Sequence, residues 1–128
     1  MWQRYTNGDV EIINGLDTIR DAGLMMAKGM ANESKDDVIN AMKMNSSGVD
    51  ILGLELHQPF RTKLDQLSAE GKVSAWKAMG AGGGGVVGMF ITDLSLQHSL
   101  IDELGAEGWS NIPWQIDNNG VVRTEINL

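Results

Sequence analysis

The sequence predicts an α+β domain in which helices pack on one face of a four-stranded antiparallel sheet. The first half carries apolar residues at helical spacing, and the second half carries short β-branched and aromatic runs around a cluster of glycines. Because helices and strands are segregated along the chain, an antiparallel sheet covered on one side is favoured over a parallel one. With 128 residues, the chain is expected to form one domain, 1–128, with a helical part, 10–71, and a strand-rich part, 72–126.

The first half predicts two long helices separated by a polar break at Asn32-Glu33. Ser34 is a good N-cap for the second helix, because its hydroxyl can accept a hydrogen bond from an amide of the first turn. Ser46-Ser47-Gly48 is expected to loosen the end of that helix. The first helix begins at Glu11, and its apolar stripe, in steps of four and three residues, is Ile12, Leu16, Ile19, Gly23, Met26 and Met30.

A third helix and two strands are predicted next. The helix starts near Pro59, whose fixed φ suits the first helical position, and Gly71 can end it. Helical periodicity is lost from Lys72 onward, where the chain leads into the glycines. Val86–Ile91 is rich in β-branched and aromatic residues, which predicts a strand. The apolar side of the third helix is expected to be Phe60, Leu64 and Leu67.

The last third predicts a helix followed by a β-hairpin. Asp93 can cap the helix and Gly105 can end it, with Leu96, Leu100 and Leu104 facing inward. Two short strands, 109–116 and 121–126, are expected on either side of Asp117-Asn118-Asn119-Gly120. Asn and Gly tolerate the positive φ of tight hairpin turns, so these four residues predict the turn.

The composition indicates a globular protein that binds neither nucleic acid nor membrane. Hydrophobic residues make up 42% and charged residues 21% of the chain, and no run approaches the length of a membrane-spanning helix. The net charge of −7 disfavours a partner that carries a phosphate backbone. The absence of Cys excludes disulfides and thiolate chemistry, and the first residues do not resemble a signal peptide. A cytoplasmic location is therefore expected.

The titratable residues predict no catalytic residue and no metal site. His57 and His98 lie on separate predicted elements and lack metal-ligand spacing. The pair Asp36-Asp37 is explained by the first turn of a helix, where the dipole favours acids. The eight Met residues suit core gaps or adaptable interfaces. Trp76, Trp109 and Trp114 lie on predicted strands, which suggests a sheet face that another domain covers.

The stretch Lys77-Ala-Met-Gly-Ala-Gly-Gly-Gly-Gly-Val86 is the most unusual feature of the sequence. Gly80, Gly82 and Gly85 formally satisfy the spacing of a dinucleotide fingerprint, but a helix should follow, whereas Val86–Ile91 predicts a strand. A P-loop is excluded because no Gly-Lys-Ser or Gly-Lys-Thr follows the glycines. Two interpretations remain, a structural turn and a set of backbone amides that binds an anion such as phosphate.

The glycine stretch resembles the third motif of the GHMP small-molecule kinases, a superfamily that includes galactokinase, homoserine kinase and mevalonate kinase. "KAMGAGGGGVVGMF" is most similar to the branch that phosphorylates heptose 7-phosphate. The helical stretch "DTIRDAGLMMAKGMANESKDDVINAMKMNSS" also resembles the two helices that precede the motif in that family. The resemblance covers roughly residues 10 to 126. It implies the C-terminal, ferredoxin-like domain of such a kinase.

The resemblance implies that Gly80, Ala81, Gly82, Gly83, Gly84 and Gly85 form a loop beside the nucleotide phosphates and the acceptor pocket. Lys77 matches the family pattern, although a solvated strand residue is the alternative. The family's nucleotide motif of the type Pro-x-x-x-Gly-Leu-Ser-Ser is absent; Asn45-Ser46-Ser47-Gly48 lacks the Pro and the order. ATP and magnesium are therefore expected only for a kinase completed by an N-terminal half.

The sequence thus leads to two hypotheses about function. The first is a GHMP-kinase C-terminal-like domain that contributes the loop to phosphorylation of a sugar or sugar phosphate when an ATP-binding partner completes it. The second is a non-catalytic module derived from such a kinase, which self-associates as a homo-oligomer or binds a phosphorylated ligand. Neither hypothesis makes the chain active by itself.

Overall fold

The computed structural model describes residues 1–80, 83–115, 117 and 119, and it divides the chain into two compact units. The first unit, Met1–Leu96, contains four α-helices and a β-hairpin; the second, Gln97–Leu128, contains one described helix. The helices are α1 (Trp2–Thr6), α2 (Val10–Ala31), α3 (Lys35–Leu52), α4 (Arg61–Ala69) and α5 (Gln97–Ala106), and the strands are β1 (Val73–Met79) and β2 (Val86–Ile91). Single 3₁₀ turns, Leu54–His57 and Leu94–Leu96, follow α3 and β2.

Helices α2 and α3 form the most extensive contact between elements of the first unit, and they approach most closely where two glycines meet. A Cβ atom on Gly15 would lie 3.1 Å from the carbonyl oxygen of Gly48, and one on Gly48 would lie 3.0 Å from the carbonyl oxygen of Gly15. The Gly48 Cβ would also meet Ile19 Cγ1 at 2.8 Å. Both glycines are buried, so the two backbones pack against each other without side chains between them.

The starts of these two helices carry the side-chain caps that their sequences favour. Ser34 Oγ accepts a hydrogen bond from the Asp37 amide at 3.3 Å, as the N-cap prediction requires. Asp9 caps α2 by accepting from the amides of Glu11 and Ile12. Its carboxylate also accepts from Arg4 Nε at 2.7 Å, and this hydrogen bond, aided by the two amides, holds the pKa of Asp9 below its usual value. The local signals therefore define where both helices begin.

Strands β1 and β2 pair antiparallel, with Val73 opposite Ile91 and Met79 opposite Val86. The register is irregular between Val73 and Ala75. The buried residues of β1 join those of the helices in a core that continues from α2 to α4. In the first unit, the buried apolar side chains are Ile12, Ala22, Ala41, Met42, Phe60, Leu64, Leu67, Val73, Ala75 and Trp76.

The prediction of a four-stranded sheet is wrong: the described residues contain a two-stranded sheet with five helices. Residues 109–115 form no strand, although 109–116 was expected to be one. Pro113 lacks the amide hydrogen that a strand residue donates. The Trp109 amide donates to the Leu104 carbonyl of α5 at 3.0 Å, so it is not available for pairing with another strand. The strand predicted at 121–126 lies outside the described residues, as do two positions of the expected turn.

Several helix predictions are confirmed, one holds only in part and one is wrong. The third helix ends before Gly71, and Leu100 and Leu104 of α5 are buried. The apolar stripe from Glu11 lies on α2 and its Ile12 is buried, but its Leu16, Gly23 and Met30 are exposed. The expectation that Ser46-Ser47-Gly48 loosens the second helix is wrong, because α3 continues to Leu52. Weak helix formers at these positions are tolerated because Gly48 permits the close contact with α2.

Replacing Gly48 with alanine should destabilise the protein by about 1–3 kcal/mol, because the added methyl group would overlap Ile19 and the Gly15 carbonyl. Gly23, also in α2, is exposed and has nothing within 4 Å of an added Cβ. Gly23→Ala should therefore stabilise the protein by about 0.5–1 kcal/mol through helix propensity alone. Urea unfolding followed by circular dichroism measures both changes. A Gly48→Ala variant as stable as Gly23→Ala would contradict the close crossing.

Candidate functional site

The glycine-rich segment 80–85 connects the two strands of the hairpin and follows their last pair, Met79 with Val86. Gly80, Gly83, Gly84 and Gly85 have φ values of +84°, +77°, +145° and +95°. These values lie in the region that residues with a Cβ avoid. A Cβ at any of the four would have nothing within 4 Å, so backbone conformation, and not lack of space, requires glycine here. Ala81 and Gly82 lie outside the described residues.

A backbone hydrogen bond ties this loop to the helical part of the unit. The Gly83 amide donates to the Leu56 carbonyl at 2.8 Å, and Leu56 lies in the 3₁₀ turn that follows α3. The amides of Gly84 and Gly85 have no backbone acceptor within the described part of the chain. Consecutive amides without internal acceptors are the groups that bind anions in loops of this kind.

Lys77 lies close to the loop on β1. Its Nζ donates to the Ala78 carbonyl at 3.1 Å, and its side chain lines a cavity of about 210 Å³ together with Leu56 and Gly80. The structure therefore places Lys77 and Gly80, at the start of the loop, on the same cavity. The rest of that lining is largely apolar, and it includes Ile19 and Val49 from the crossing of α2 and α3.

A second polar arrangement, the Asp50 cluster, consists of Asp50, His57 and Arg61. Asp50 Oδ1 lies 2.8 Å from His57 Nδ1, and Arg61 Nη2 donates to Asp50 Oδ2. Because a carboxylate only accepts hydrogen bonds, Nδ1 of His57 is the donor in this pair. His57 is 1% exposed, and its ring contacts that of Trp76 edge-on with 4.7 Å between centroids. The cluster therefore joins the end of α3, the following turn and the start of α4.

The Asp50 cluster borders an open cleft of about 640 Å³ between α3, α4 and β1. Helix α3 contributes Lys43 and Ser47 beside Asp50, and α4 contributes Asp65 and Ser68 beside Arg61. Residues four and three apart lie on one side of a helix, so each helix presents a polar row to the cleft. Helical spacing thus builds this cleft from two segments that the turn at 54–57 separates.

The sequence did not predict the Asp50 cluster. The sequence predicts no metal-binding role for His57. Among the described residues, no group of three His, Asp or Glu side chains could hold a metal ion. The only trace of the cluster in the sequence is a His with an Asp at i−7 and an Arg at i+4. That spacing matches no single helix, because Gly53 ends α3 between Asp50 and His57. His98 lies on α5, exposed and apart from these residues in sequence.

Comparisons with known protein families, curated proteins and solved structures give no match. Among the described residues, no helix combines the length and the apolar character needed to cross a bilayer.

Asp50→Ala should lower the free energy of unfolding by about 1–3 kcal/mol, because it leaves the buried His57 Nδ1–H and the Arg61 guanidinium without their acceptor. Asp65→Ala is the matched control. The Asp65 side chain is 59% exposed and lies 4.0 Å from Arg61 Nη1, so its loss should change stability by less than about 0.5 kcal/mol. Urea unfolding compares the two variants, and equal stability would show that the Asp50 cluster contributes nothing.

Proposed function

We propose that residues 80–85 form a phosphate-binding loop, and that this chain supplies the glycine-loop part of a small-molecule kinase for a sugar or sugar phosphate. The observation that carries the proposal is the pair of consecutive amides at Gly84 and Gly85, which have no backbone acceptor among the described residues and lie in a loop whose positive φ values need glycine. Such amides can donate to phosphate oxygens without the cost of breaking internal hydrogen bonds.

Two features of the surroundings support a phosphate ligand. The hydrogen bond from Gly83 to Leu56 limits the motion of the loop, so less conformational entropy is lost when a ligand binds. Lys77 is the cation nearest to the loop in sequence, and an ammonium group is a common partner of phosphate. Its hydrogen bond to Ala78 is to a neutral carbonyl, so its charge is not neutralised by an acid there.

The loop suits a phosphate group and does not suit magnesium. Residues 80–85 are glycines and one alanine, so they offer amide donors to an anion and no carboxylate or hydroxyl to a metal ion. Phosphoryl transfer depends on positioning and on neutralisation of the developing charge. This chain would position a phosphate, and ATP with its magnesium would be held by an ATP-binding half in another segment or another chain. The proposal places the protein in the cytosol, where ATP and sugar phosphates occur.

A non-catalytic, self-associating module is the second candidate, because one exposed aromatic pair favours it. Trp2 is 73% exposed and stacks with Tyr5 on α1, with 5.7 Å between ring centroids. Val10, at the start of α2, is also exposed. Exposed apolar patches commonly mark interfaces. In this alternative the loop binds a phosphorylated ligand, and the surface around Trp2 contacts a second copy.

Titration of the ¹⁵N-labelled protein with inorganic phosphate and with ATP tests the loop. The amide signals of Gly84 and Gly85 should shift with dissociation constants in the millimolar range, about −4 kcal/mol. Gly85→Ala should weaken binding about tenfold or more, because a Cβ disfavours the φ of +95° that orients the amides. Gly8→Ala is the matched control: it has a φ of +74°, lies between α1 and α2, and should leave binding unchanged. If the signals do not shift at phosphate concentrations up to about 20 times the expected dissociation constant, the loop is excluded as a phosphate site.

Activity separates the kinase from the module. The protein should phosphorylate a sugar phosphate only when mixed with an ATP-binding half of a small-molecule kinase, and Gly85→Ala should abolish that activity. Phosphate binding without complementation, together with a dimer that Trp2→Ala disrupts, would favour the non-catalytic alternative.

A further inference from the structure

The cleft bordered by the Asp50 cluster carries an unused positive charge. Lys43 lines the cleft from α3, and its side chain has no ion pair or hydrogen bond within the described residues. Arg61, by contrast, is neutralised by Asp50 and lies 4.0 Å from Asp65. A single unpaired ammonium group therefore faces a cleft of about 640 Å³, a volume within the range of small-molecule sites.

A second observation is an unsatisfied donor next to the same cleft. Arg61 Nε is buried and has no hydrogen-bond acceptor in the part of the chain that the structure describes. Buried donors without partners are rare, and a ligand or an ordered water usually explains them. Arg61 lines the cleft, and its two terminal nitrogen atoms face Asp50 and Asp65, so Nε is the one position of this guanidinium that is left for a further acceptor.

The remaining polar groups of the cleft are suited to hydroxyl groups. Ser47 and Ser68 face it from opposite helices, and Ser74 pairs with Thr92 at 3.1 Å across the two strands. The exposed carboxylate of Asp65 can accept from a ligand hydroxyl, since its 4.0 Å separation from Arg61 is too long for a hydrogen bond. Hydroxyl side chains both donate to and accept from sugar-like hydroxyls.

We propose that this cleft binds a small polyol that carries one anionic group, a phosphate or a carboxylate, with the anion on Lys43 and the hydroxyls on Asp65 and the serines. The site is separate from the glycine loop. It uses residues of α3, α4 and the start of β1, whereas the loop follows the end of β1. The inference does not depend on the proposed kinase function.

Matched six-carbon probes test the proposal by NMR. Sorbitol 6-phosphate and gluconate should each shift the amides of Ser47 and Ser74, whereas neutral sorbitol should bind at least about tenfold more weakly. The probe whose titration gives the lower dissociation constant identifies which anion the cleft prefers. Shifts at Gly84 and Gly85 without shifts at Ser47 and Ser74 would place the binding in the loop and overturn the proposal.

Two variants separate charge from hydroxyl recognition. Lys43→Gln should weaken binding of the preferred probe about tenfold, and Lys28→Gln on α2 outside the cleft should not change it. Asp65→Asn should also weaken binding if the carboxylate accepts hydroxyls. Stronger binding by Asp65→Asn would mean that only net charge matters, which contradicts the assigned contacts. Normal binding by Lys43→Gln, with its fold verified by circular dichroism, would equally overturn the proposal.

Discussion

The close contact between Gly15 of α2 and Gly48 of α3 determines where the other parts of the first unit lie. At this contact each helix presents a glycine, which has a hydrogen atom where other residues have a side chain. Because protein interiors pack as densely as organic crystals, such a close contact permits only a narrow range of angles between the two helices. This crossing fixes the direction in which α3 ends. The turn at 54–57 follows directly, and it carries Leu56 toward the glycine loop and His57 toward Asp50.

The two candidate sites therefore lie at opposite ends of β1, and both are held in place by the segment at the end of α3. The loop beyond Met79 is held by the hydrogen bond from Gly83 to Leu56. The cleft near the start of β1 is held by the Asp50 cluster, which joins α3 to α4. Binding groups placed on rigid supports lose little conformational entropy when a ligand binds, and this favours both proposals. The two sites differ in chemistry, because the loop offers backbone amides and the cleft offers a cation, a carboxylate and hydroxyls.

Local signals were sufficient for the start of α3 and for the strand at 86–91, and insufficient wherever distant contacts decide the structure. Ser34 was recognised because capping depends on a residue and its next three neighbours. Gly48 was misinterpreted because its effect depends on α2, more than thirty residues away at Gly15. The four-stranded sheet rests on β-propensity, which depends strongly on context, and on a hairpin whose second strand, 121–126, lies outside the described residues. The Asp50 cluster could not be predicted because its members lie on three elements whose relative placement the sequence does not encode locally.

Native-state hydrogen exchange of the Gly83 amide tests most directly whether the helix pair positions the loop. The Leu56 carbonyl should protect this amide, whereas the amides of Gly84 and Gly85 should exchange rapidly. Gly83 should lose its protection over the same range of urea as the amides of Val49 to Leu52 at the end of α3, because one cooperative unit holds them. Exchange of Gly83 as rapid as that of Gly84 and Gly85 would show that the loop is independent of the helices and would contradict the account.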